Sequence, residues 1–177
     1  MRIGDALYFS PNIRFADLIP EDVPKLVNAF QDRVNGFYLA PASRLLNTGD
    51  FFAAGLICFS AVEFIATVTT NQHPTKWLQS NLEAFKGNEE LAGTFWNQFR
   101  HGLSHEGRIK NFGQFSTDFP DMLTHANVIL IVNPGLFFEA INSAFTQYME
   151  TLDESQTAFL EKSLLRFFKA ELDTAKE

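Results

Sequence analysis

Arg100-His101-Gly102-Leu103-Ser104-His105 is the stretch of this chain whose residue types could do chemistry. Arginine stays charged at any working pH and presents a planar fork of donors that matches phosphate oxygens. Histidine exchanges a proton near neutral pH. Together they suit phosphodiester cleavage without a metal. The histidine would take the proton of a ribose 2′-hydroxyl, and the arginine would stabilise the charge that develops on the phosphorus-bound oxygens. Residues 100–110 are also locally basic, with Arg100, Arg108 and Lys110 against Glu106, and they hold two of the four histidines.

The spacing constrains how these groups can meet. At about 100° per residue, positions five apart on an α-helix lie roughly 140° apart around its axis. Arg100 and His105 therefore do not share a face of one straight α-helix. Gly102 can interrupt the helix between them, or a second subunit can bring its own pair alongside. His101 and His105, four apart, fall on nearly the same face if the helix continues.

Each residue also has a plainer role open to it. Arg100 can pair with a surface carboxylate, and His105 can sit on a helix terminus and interact with its dipole. Glu63, in a helix otherwise almost free of charge, must be paired or face a cleft if buried, and could hydrogen-bond Arg100 or a histidine. Asn97 and Ser104 flank the motif closely enough to supply hydrogen bonds. With Glu63 and Arg108 they are the candidates to bind or orient a substrate. His101, His105 and a carboxylate such as Glu63 or Glu106 could ligate a metal. However, Gly102 stands where a zinc-protease motif needs glutamate, and no matched set of inward carboxylates is found, so no metal and no cofactor is expected. His73 and His125 fall in predicted loops and read as solvated.

Helices must position the motif. Glu21, Asp22 and Pro24 favour a helix start after an irregular first twenty residues. Leu26, Val27, Phe30, Val34, Phe37 and Tyr38 keep helical spacing up to a kink or end at Pro41. Asn47–Asp50 is a turn, with Asp50 as N-cap of a long apolar helix to about Thr70. Thr75 caps a short helix to about Phe85, and Asn88 caps the helix carrying Leu91, Phe95 and Phe99 into the motif. The period then changes: Phe112–Phe119 alternates and Asn127–Val132 is rich in β-branched residues, which predicts two short strands paired across a loop of about ten residues. Asn133-Pro134 opens a helix to about Thr151, and Asp153 with Gln156 resembles a capping box for a last helix to about Asp173.

Composition narrows the classes further. The chain has 177 residues, 46% of them hydrophobic, enough for a real core in one domain spanning residues 1–177. Its twenty phenylalanines point to a large dry core or a subunit interface. A net charge of −7 argues against an extended nucleic-acid-coating surface, while leaving room for a local basic site. Cys58 is the single cysteine, so there is no disulfide framework. Residues 51–70 are about as long as a bilayer span, but Glu63, the terminal threonines and the lack of basic anchors favour a buried bundle helix. The start MRIGDALYFS lacks a signal-peptide pattern, and the expectation is a cytoplasmic protein without membrane association.

The phrase FRHGLSHEG resembles the signature of the HEPN superfamily, an arginine followed by four to six residues and then a histidine. It is similar to the FRNGLxHxG-like stretches of bacterial members. The setting also fits, since the motif closes one helix of a mainly α chain with a long apolar helix upstream. The resemblance implies a helical bundle that forms a homodimer, so that two motifs meet in a shared cleft. The paired strands of about 112–132 then form a small β-hairpin insertion after the motif. It further implies a metal-independent endoribonuclease, of the kind found in toxin–antitoxin, phage-defence and RNA-processing systems, with RNA as substrate and an antitoxin or other protein as partner. Arg100 would hold the scissile phosphate, His105 would act in acid–base catalysis and His101 would orient one of them or the substrate. Some members only bind nucleotide, RNA or a protein partner, and that is the alternative expectation.

Overall fold

The computed structural model of the protein describes residues 1–175. Helix makes up 65% and strand 9%, so the fold is mainly α. Among the described residues eight α-helices follow one another: α1 (Val23–Val34), α2 (Ala40–Thr48), α3 (Phe51–Thr69), α4 (Pro74–Asn81), α5 (Glu89–Phe95), α6 (Pro134–Glu150), α7 (Glu154–Phe167) and α8 (Lys169–Thr174). Five short strands accompany them: β1 (Arg2–Ile3), β2 (Ala6–Leu7), β3 (Gln114–Phe115), β4 (Leu123–Ala126) and β5 (Ile129–Val132).

The composition of α3 dictates its place. It is apolar almost all round, and a helix of that kind needs cover over most of its circumference. It is the one helix among the described residues that is long and apolar enough to cross a membrane. Here it packs on α2, α4, α6 and α7 and forms the centre of the core. Phe59 on α3 is fully buried, its ring centroid 5.0 Å from Phe95, 5.1 Å from Phe137 and 5.7 Å from Trp96. Burying each such ring is worth about 1.5–3 kcal/mol. The phenylalanine surplus thus goes largely into one dry cluster.

The capping expectations divide. Asn88 accepts from the Leu91 amide, Asn133 accepts from Gly135 and Leu136 with Pro134 at the first helical position, and Asp153 with Gln156 forms a full capping box. Asp50 stands at the N-cap of α3, but its carboxylate takes the Thr48 hydroxyl at 2.5 Å instead of a helix amide. For α4 the cap is His73, whose Nδ1 accepts from the Thr75 amide, and not Thr75 itself. That helix ends at Asn81, followed by a 3₁₀ turn over Glu83–Phe85. The last helix breaks at Phe168 into α7 and α8.

Pro41 does not end its helix. A π-wound turn over Asn35–Leu39 precedes it, with the Ala40 amide donating to the Asn35 carbonyl five residues back. The wider turn makes room for the pyrrolidine ring, so α1 and α2 run on continuously.

The strand segments also pair differently from the expected hairpin. β4 and β5 form the antiparallel pair across a two-residue turn at Asn127 (φ 57) and Val128. The alternating 112–119 stretch contributes only β3, which pairs parallel to β5 on its other side. Asn127 tolerates the left-handed backbone the turn requires, which takes it out of the strand where its neighbours suggest it belongs. Phe115 of β3 then lies against α3 at Gly55, where a Cβ would come within 2.3 Å of the ring. The first twenty residues are not wholly irregular either, since β1 and β2 form a small antiparallel pair.

Candidate functional site

The motif occupies a π-helix, Trp96–Glu106, that continues directly from α5. An i→i+5 ladder lengthens each turn by nearly one residue over the α-helix, so residues five apart come to lie on roughly the same face. This overturns the expectation that Arg100 and His105 fall on different faces. Arg100 Nη1 lies 2.9 Å from His105 Nε2 within one chain. Because a guanidinium has donors only, Nε2 is the acceptor in this contact.

Gly102 does not interrupt the helix. It is buried within it, and a Cβ there would sit 2.4 Å from the Arg108 carbonyl oxygen and 3.1 Å from the Lys110 amide nitrogen. Gly107, at φ 65, ends the π-helix and turns the chain back across it. The Arg108 amide donates to the Gly102 carbonyl at 3.2 Å, and the Lys110 amide to that of Gln98 at 2.9 Å. The absence of a side chain at 102 is what lets the returning segment lie on the motif helix.

Glu63 fixes the other edge of Arg100. Its Oε2 accepts from Nη2 at 2.6 Å and from Nε at 3.2 Å. The guanidinium is therefore held by α3 on one side and offers Nη1 to His105 on the other. Arg100 is mostly shielded, with 18% of its side chain exposed, whereas Glu63 retains 44%.

His101 is half-buried, its ring centroid 5.8 Å from that of His105. Burial and then the positive charges of Arg100, His105 when protonated, and Lys110 hold its imidazole below the usual 6.5, against the opposing pull of Glu63. His101 is thus the neutral neighbour of the pair at pH 7. Arg108 and Lys110 both turn to Glu106, at 2.7 and 2.8 Å. The Lys110 contact, followed by the charge of Arg108, holds the Glu106 carboxyl below the usual carboxylate range. The basic stretch is therefore largely self-paired.

The structure brings together Arg100, His105, His101 and Glu63. Asn97 and Ser104 are exposed on the same helix, and their side chains form no hydrogen bond among the described residues. Arg108 is exposed and engaged with Glu106. His73 caps α4, and His125 stands exposed in β4 and not in a loop. No three His, Cys, Asp or Glu side chains gather in a metal-holding group among the described residues. Gly102 is the residue whose role sequence reasoning placed wrongly. Its signal is the second glycine at 107, which together they use for a chain reversal. No family model, no curated protein and no solved structure matches the chain.

Proposed function

We propose that this protein is a metal-independent endoribonuclease of HEPN type, acting as a cytoplasmic homodimer in a toxin–antitoxin or phage-defence setting. The observation that carries the proposal is the 2.9 Å contact between Arg100 Nη1 and His105 Nε2, with Glu63 aiming the guanidinium from behind. A phosphate of single-stranded RNA would draw Nη1 away, which both anchors the scissile group and frees Nε2 as a base. His105 then takes the 2′-hydroxyl proton, the 2′-oxygen attacks phosphorus, and the bond to the 5′-oxygen breaks. The products are a 2′,3′-cyclic phosphate and a 5′-hydroxyl, the leaving oxygen receiving its proton from a general acid or water.

A second proposal, a domain that binds nucleotide, RNA or a protein partner without chemistry, is favoured by one specific observation. Arg100 is already paired with Glu63, and Arg108 and Lys110 share the single carboxylate of Glu106, so only about one net positive charge is left at the motif. RNA cleavage by the purified protein in excess EDTA, with Arg100→Ala and His105→Ala alongside, separates the two. Cleavage that survives chelation and vanishes in both variants supports the nuclease. Absence of cleavage across several RNAs leaves the binding domain, and activity unchanged in both variants refutes the site.

A further inference from the structure

Arg33 is a guanidinium with no carboxylate partner among the described residues. Its Nη1 donates to the Phe9 carbonyl, and its Nε is sealed in with no partner at all. Four phenylalanine rings surround it, with centroids at 5.3 Å for Phe9, 5.3 Å for Phe37, 5.2 Å for Phe64 and 4.6 Å for Phe168. Ring faces attract a cation but supply no counter-charge; the Tyr38 hydroxyl is the nearest polar side chain and Glu171 acts on Arg33 only from a distance. A half-buried cation without a carboxylate partner is under-compensated.

It is also not closed off. Arg33 lines a groove of about 380 Å³ together with Tyr38, Ser60, Glu63, Thr67 and Phe167. That groove therefore runs from the uncompensated guanidinium to the carboxylate that holds Arg100. Its walls differ in a telling way. The Ser60 hydroxyl donates to the Leu56 carbonyl at 3.0 Å and the Thr67 hydroxyl to the Glu63 carbonyl at 2.7 Å. With their protons so committed, both oxygens present lone pairs to the groove. Phe167 is half exposed and packs edge-on to Phe64 at 5.7 Å, while Tyr38 stacks on Phe64 at 5.6 Å. One cation, a row of acceptors and a half-exposed aromatic ring match the phosphate, the donor groups and the flat base of a nucleotide.

We infer that this groove is a second subsite for single-stranded RNA, holding the nucleotide next to the scissile phosphate. Arg33 takes that nucleotide's phosphate, Phe167 and Tyr38 stack its base, and Ser60 and Thr67 accept from its amino groups. The Oε2 of Glu63 is neutralised by Arg100, so the phosphate lies toward Arg33. The inference rests on the ribonuclease proposal for its substrate but has a separate test.

Binding of a fluorescent 2′-O-methyl oligoribonucleotide, which cannot be cleaved at the 2′ position, is measured by anisotropy across a salt series. Wild-type protein, Phe167→Ala, Arg33→Met and Arg33→Lys are compared, with RNA cleavage assayed in parallel. Phe167→Ala is expected to weaken binding by about 5- to 150-fold, the range that base–aromatic stacking supplies. Arg33→Met is expected to lower the slope of log K against log salt by about 0.7, one phosphate contact on a single strand, while Arg33→Lys keeps the slope. Should Arg33→Met fail to fold, Phe167→Ala and Arg33→Lys carry the test. Cleavage by wild type with binding unchanged in Phe167→Ala overturns the groove and leaves the nuclease standing. Groove-dependent binding without cleavage does the reverse, and neither binding nor cleavage overturns both.

Discussion

Removing the Glu63 carboxylate separates positioning from mere stabilisation at the motif. In Glu63→Ala the Nε–Nη2 edge of Arg100 loses its anchor, two charge-assisted hydrogen bonds of 2.6 and 3.2 Å to one oxygen. Such bonds are worth about 1.5–3 kcal/mol when shielded. Because 44% of the Glu63 side chain is exposed, solvent screening brings the expected loss of stability to about 1 kcal/mol. For a domain of this size that is a fall in Tm of about 2–4 °C. The catalytic effect is expected to be larger than the stability effect. A misplacement on the order of 1 Å costs about 100-fold in rate, and an unanchored guanidinium is free to move that far. Glu63→Ala should therefore lower kcat by about 10- to 100-fold, while KM stays level or falls, since Arg100 regains its full charge for phosphate. Glu63→Gln keeps an acceptor for both N–H groups and loses only the charge, so its kcat should stay within a few-fold of wild type with a lower KM. The assay is steady-state cleavage of a short fluorophore–quencher RNA in EDTA, with melting curves on the same samples. A lowered Tm with kcat unchanged in Glu63→Ala would refute the positioning argument and reduce Glu63 to a stabilising ion pair.

Three further outcomes follow from the same geometry. Gly102→Ala drives a Cβ to 2.4 Å from a backbone oxygen that cannot move alone, so it should destabilise by about 1–3 kcal/mol and expose the Lys110 amide, read by thermal melting and hydrogen exchange. His101 titrates below 6.5 when folded, so on acidification the unfolded chain binds its proton first, and stability falls as pH drops from about 7 through the folded pKa. Between pH 7.5 and 5.5 wild type should lose more Tm than His101→Asn, and equal losses would contradict the depressed pKa. Cys58 is fully buried and its thiol is pushed up to about 12, so it should resist an aromatic disulfide reagent at pH 8 and react completely once denaturant is added.

Legibility in the sequence followed the range of the forces involved. The Asn88 and Asn133 caps and the Asp153–Gln156 box are bonds between residues two or three apart, and residue type alone decides them. Glu63 was legible from a single rule, that a charge in an apolar helix needs a partner, although the rule left Arg100 and the histidines as equal candidates. The contact of Arg100 with His105 was not legible. It depends on an i→i+5 register that no local pattern announces, set where the segment after Gly107 returns over Gly102 and bonds the Gln98 carbonyl. The sheet failed for a related reason. β3 pairs with a strand that lies beyond another in sequence, and Asn127 carries a turn from within a β-branched run. Arg33 gave little signal, because apart from Phe37, four residues on along the same helix, the rings of Phe9, Phe64 and Phe168 come from separate stretches that only the fold gathers.

The protonation states at the motif bear on why two copies would be needed. In the resting chain Arg100 donates to Nε2, and a His105 that takes the 2′-hydroxyl proton as base cannot also deliver a proton to the leaving 5′-oxygen in the same step. His101 is the adjacent candidate acid, yet burial and its cationic neighbours keep it neutral at pH 7. Glu106 is held below the usual carboxylate range and is ionised, so it too is no acid. One chain therefore supplies a base, an aimed cation and no general acid among these groups. On the ribonuclease proposal the missing proton comes from water or from a second His105, protonated in a copy whose Arg100 has turned to phosphate. A dimer that brings two motifs to one phosphate supplies both protonation states from identical sequences, the asymmetry being imposed by which copy holds the scissile group.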